Sequence, residues 1–139
     1  MLKQSRLDDV GKLTLRLMVG ILILLHGAHK LLHPDALGSI RGMLGSVGLP
    51  SLLAYGVYLG EVGGALMVIL GIYSRLGGFL IAGNMLFAIG LAHMGQLFTL
   101  TKSGGWGIEL QALFLFPALA IALLGPGRFS LQSPGSRWN

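Results

Sequence analysis

Titratable or strongly hydrogen-bonding groups that could do chemistry stand within or at the ends of otherwise apolar stretches: His26, His29, Lys30, His33, Glu61, Asn84, His93 and Glu109. Glu61 stands at the midpoint of an apolar run. A charge at that depth in a bilayer costs about 2.5–3.5 kcal/mol on insertion scales, so a carboxylate there marks a functional position by default. Asn84 falls near the middle of the next run, and His26 and His93 lie toward the outer ends of theirs. Carboxylate and imidazole both titrate when their surroundings shift them, so Glu61 and His26 are the candidate catalytic groups. Lys30, Asn84 and Glu109, together with Glu61 and His26, are the candidates for holding a cofactor.

At about 100° per residue, His26, His29, Lys30 and His33 share one polar stripe on a helix. Three histidines at that spacing could ligate a metal or haem. Without a cysteine or a second matched histidine pair, no metal site is expected. His93 follows Asn84 by nine residues, about half a turn around an ideal helix, so the two should not face a bundle interior together. Lys30 and Glu109 could equally be interfacial residues, and Arg16, Arg75 and Arg128 read most simply as anchors snorkelling to headgroups.

The elements that must position these groups are four. The chain has 139 residues, 53% hydrophobic and 11% charged, against roughly 25% charged in a soluble domain. Stretches at about 13–32, 49–73, 76–100 and 106–124 each approach the 20 or so apolar residues that cross a bilayer. A glycine-rich connector, 38–48, separates the first two. Gly125-Pro126-Gly127 stops the fourth. The first eleven residues are too charged for a signal-peptide hydrophobic region, so the first helix is expected to be retained. The expected fold is all-α: one domain over 1–139, an integral membrane four-helix bundle.

Lys3, Arg6, Lys12, Arg16, Arg75, Arg128 and Arg137 fall on one side of these helices, and Lys30, Arg41 and Lys102 on the other. Seven against three places both termini in the cytoplasm. The ten basic residues form no run, which fits helix ends at a headgroup surface and argues against a nucleic-acid partner. The absence of cysteine excludes a thiol relay or disulfide framework. Gly60, Gly64 and Gly71 on the second helix, and Gly78 with Ala82 on the third, predict close packing within the bundle, with a homodimer seam as the alternative.

Several elements occur in a familiar order. They are Leu15-Arg16-Leu17 with Gly20, His26-Gly27 with Lys30, Gly60-Glu61-Val62 with Gly64, Gly71 with Arg75, and Gly125-Pro126-Gly127-Arg128-Phe129-Ser130. In this order and spacing the chain resembles the DoxX family of small four-helix bacterial membrane proteins. It is thereby similar to the DoxD subunit of thiosulfate:quinone oxidoreductase. The resemblance implies a multi-pass protein of the bacterial inner membrane and an association with oxidoreductases, sometimes quinone-linked. Arg16, His26, Lys30, Glu61, Arg75 and Glu109 match its pattern.

Two functions follow as expectations. One is a redox component, or an oxidoreductase subunit, whose bundle holds a quinone beside Glu61 and His26. The other is a non-enzymatic accessory or scaffold subunit, or a small proton-coupled transporter using Glu61. The expected partners are the lipid bilayer and either a redox subunit or a second copy of the chain.

Overall fold

The computed structural model describes residues 2–133 and 135–139; the side chains of residues 2–4, Lys3 among them, lie outside that description. It is all-helical, with no strand among the described residues. Five helices follow in order: α1 (Leu2–Leu32), α2 (Ala36–Ser46), α3 (Ser51–Leu70), α4 (Ser74–Gln96) and α5 (Glu109–Leu124). Helices α1, α3 and α4 are long and apolar enough to cross a membrane. The 16 residues of α5 span about 24 Å, somewhat less than a hydrocarbon core of about 30 Å.

Two boundaries depart from expectation. Helix α1 starts at Leu2, not near residue 13. Its polar first turns mix good helix formers with Ser5, Asp8, Asp9 and Gly11 but contain no proline, so nothing stops the helix there. The glycine-rich connector is also no loop. Leu37, Ile40 and Leu44 recur at helical spacing, and α2 packs this face on Ala54, Val57, Tyr58 and Leu91. Its glycines turn away into open space. Glycine's poor helix propensity concealed the helix, and packing of the apolar face outweighed it.

The core joins Val19 and Ile23 of α1, Ala65 and Val68 of α3, Ile81 and Met85 of α4, and Ala118 and Ile121 of α5. Backbones approach closely at the small residues. A methyl on Gly64 would sit 2.9 Å from the Gly77 carbonyl oxygen, and one on Gly78 would sit 2.7 Å from that of Ala118. In lipid, such contact replaces the hydrophobic drive that water supplies. Gly71 does not extend the α3 stripe as expected. With φ +72 it is the left-handed cap that ends the helix, and its N–H and that of Ile72 both donate to the Met67 carbonyl. Tails of apolar residues such as Leu22, Leu25, Leu113 and Phe116 point outward around the bundle.

The end of the bundle where α1 begins and α5 finishes is held by two arginines. Arg16 was expected to snorkel to headgroups, yet it is 1% exposed. Its Nε donates to the Val68 carbonyl at 2.8 Å and its Nη2 to that of Ile69 at 2.9 Å. Its Nη1 donates to the carbonyls of Pro126 (2.8 Å) and Phe129 (2.7 Å). Arg75 donates to the Ala122, Leu123 and Asn139 carbonyls. The last carbonyls of a helix lack intrahelical partners and carry partial negative charge, so a guanidinium suits the ends of α3 and α5. These arginines build the fold.

Candidate functional site

Glu61 lies in a π-helical turn, Leu59–Gly64, in the middle of α3. Its side chain is 7% exposed, and its Oε2 accepts a bond of 2.6 Å from Lys30 Nζ. Its Oε1 accepts from Asn84 Nδ2 at 3.3 Å. Three helices therefore converge on one carboxylate. Two glycines make this convergence fit. A methyl on Gly27 of α1 would fall 2.8 Å from the Glu61 carbonyl oxygen, and one on Gly60 would fall 2.5 Å from the Asn84 Cβ. The Tyr58 hydroxyl donates to the Lys30 carbonyl at 3.1 Å, holding the base of that side chain near the end of α1.

The ion pair stands between two cavities. One, of about 180 Å³, lies among α1, α3, α4 and α5 and is lined by Ile23, His26, Lys30, Glu61, Met85, Ala88, His93, Leu110, Gln111 and Phe114. The other, of about 190 Å³, lies beneath α2, where Ile40 and Met43 meet Val57, Asn84, Phe87 and Ala92, and Lys30, Glu61, Ala88 and His93 face both. His26 is exposed and stands at the mouth of the first cavity, edge-on to Phe114 with ring centres 5.6 Å apart.

His93 belongs to this site although helical periodicity placed it opposite Asn84. The reason is a second π-helical turn, Ile89–His93. One extra residue in a turn absorbs about 100° of phase, so nine residues rotate the chain by about 80° where an ideal helix rotates it by about 180°. His93 and Asn84 thus line the same cavity. Gln111 Nε2 lies 3.0 Å from His93 Nε2, and His93 Nδ1 lies 3.0 Å from Gln96 Oε1. A neutral imidazole protonated on Nδ1 satisfies both contacts, accepting from Gln111 and donating to Gln96.

The other sequence candidates separate. His29 and His33 stack on each other 4.3 Å apart on the exposed face of α1. Among the described residues no three His, Asp or Glu side chains are grouped to hold a metal. Glu109 is exposed in the first turn of α5 and is absent from the lining of both cavities. Gln111, two residues on, was not singled out by sequence; an uncharged amide near a helix end gives no signal.

The family model for DoxX matches residues 11–94. The chain belongs to the DoxX family. The matched span contains Arg16, His26, Lys30, Glu61, Asn84 and His93, and stops before the α5 residues of the site. A Haemophilus influenzae relative that carries only the name "Uncharacterized protein" is 33% identical over 122 residues, covering 86% of each chain. A Bacillus subtilis protein named "Putative oxidoreductase CatD" is 31% identical over 126 residues, 91% of this chain and 87% of its own. The inner membrane protein YqjF of Escherichia coli is 27% identical over 137 residues, 92% of this chain and 94% of its own. No solved structure matches. This chain is a DoxX membrane protein.

Proposed function

We propose that the protein is a redox-linked component of the bacterial inner membrane that takes a quinone head group beside the Lys30–Glu61 pair. The observation that carries this reading is the cavity itself. Apolar walls from Ile23, Met85, Leu110 and Phe114 meet the polar hydrogens of His26, Lys30 and Gln111. Drug-sized ligands occupy roughly 300–1,000 Å³, so a cavity of about 180 Å³ fits one ring with its tail outside in lipid. The name of the B. subtilis relative points the same way.

A quinone supplies a two-electron, two-proton carrier when bound. Lys30 has two N–H groups left after its bond to Glu61, and one of them can hold a ring oxygen. Glu61 holds Lys30 through its Oε2 and is the candidate proton acceptor inside the bundle. His26, at the mouth, exchanges protons between the cavity and its surroundings. Asn84 orients Glu61 and stays out of the chemistry. Electrons come from a partner redox subunit.

The test is a lipid extract and absorption spectrum of the purified protein. Near-stoichiometric quinone is expected, and Glu61→Gln should lower it while leaving insertion intact. A clean extract with no redox signal would favour a proton-coupled carrier instead, a role that an ion pair standing between two cavities could also fill.

The proposed topology has α1, α3, α4 and α5 as four passes with both termini cytoplasmic. It rests on the clustering of Arg16, Arg75 and Arg128 at one end and of Lys30 and Arg41 at the other. Alkaline phosphatase fused after Gly45 or Ser103 should be active, and after Ser74 or Ser133 inactive. Activity at Ser74 would reverse the orientation.

A further inference from the structure

We propose that the arginine-held end carries a binding site for the phosphodiester of an anionic phospholipid, built by Arg128 and Arg6. The backbone places Arg128 first: its N–H donates to Asp9 Oδ1 at 3.0 Å, which ties the segment after α5 to the first turns of α1. From there its side chain stands between two open grooves. One, of about 460 Å³, has Arg6, Asp9, Val10 and Phe129 as its other walls. The second, of about 440 Å³, runs along Ile69, Leu70, Ser130 and Leu131, with Arg16 at its floor.

Neither guanidinium, of Arg6 or of Arg128, has a hydrogen bond or ion pair within the described residues. Arg16 differs, since it is committed to four backbone bonds. In the first groove two arginines face one aspartate, and that aspartate already accepts the Arg128 N–H. One positive charge is left over, and Lys12, packed beside Gly127, adds to it. The walls of the second groove are half-exposed Leu70 and Phe129 and strongly exposed Leu131. Free guanidinium hydrogens beside an exposed apolar track have the form of an amphiphile: phosphate to Arg6 and Arg128, acyl chain along Ile69, Leu70 and Leu131. Arg offers a planar fork to phosphate oxygens, and basic pockets between spanning helices on the cytoplasmic side suit anionic headgroups.

The test uses full-length protein in nanodiscs of phosphatidylcholine with a minority of phosphatidylglycerol, followed by native mass spectrometry of retained lipid. Wild type should retain phosphatidylglycerol in preference to phosphatidylcholine. Arg6→Gln/Arg128→Gln should reduce that preference by about thirtyfold, since each surface arginine contributes roughly 1 kcal/mol of attraction to anionic lipid. Arg137→Gln, at the same end but outside both grooves, should leave it unchanged. Should the double variant fold poorly, Arg6→Gln alone must still lower the preference severalfold. An equal loss in Arg137→Gln would show general attraction to the leaflet and overturn the site. So would displacement of the lipid by inorganic phosphate alone, or a wild type with no preference.

Discussion

Arg16 and the Lys30–Glu61 pair both bury charge within the same helical bundle, and they do so by opposite means. Arg16 is held by four carbonyls of α3 and of the segment after α5, all neutral and all part of the backbone. Lys30 meets a charge, and both partners keep a face toward a cavity. A charge answered by backbone dipoles fixes where chain segments lie. A charge answered by another charge, with donors to spare and space beside it, can exchange protons or take a ligand. Arg16 is architecture, and the lysine–glutamate pair keeps donors and space beside its charges.

The strongest loss of stability is expected at Arg16. Arg16→Met should strand four carbonyls, each costing about 1–3 kcal/mol when left unpaired, for a loss above about 4 kcal/mol. Denaturant unfolding in detergent would measure it; a loss near zero would mean that water replaces the guanidinium and that the end is not architectural. Next is Lys30→Met, which leaves Glu61 buried without its partner. A destabilisation of about 3–5 kcal/mol is expected, of which Lys30→Met/Glu61→Leu should recover most. Recovery of stability together with loss of bound quinone would sharpen the contrast, because it would assign the pair to chemistry. A double variant as unstable as the single one would place the pair with Arg16, as a structural element.

Much of this arrangement was legible in the residues. Glu61 in mid-run, the His26–Lys30 stripe and the spanning helices follow from the cost of polarity in lipid and from helical periodicity. Which cation Glu61 meets was not. The structure brings Lys30 and Asn84 to it, while His26 takes the cavity mouth. Helix α2 escaped because its glycines argue locally for a loop, while its three apolar residues find their partners only in α3 and α4.

The apolar helices, their basic end and the few polar groups too costly to be filler can be read from the residues alone. These depend on composition and on spacing within a single segment. That Arg16 caps two other segments, that Glu61 is answered by Lys30 and that Asn84 and His93 share one cavity emerges only once the helices pack. Each of these depends on a backbone departure or an approach between helices: two π-helical turns that shift phase by a residue, and glycines whose missing Cβ admits a neighbour. A pattern read along one helix at a fixed 3.6-residue period contains neither.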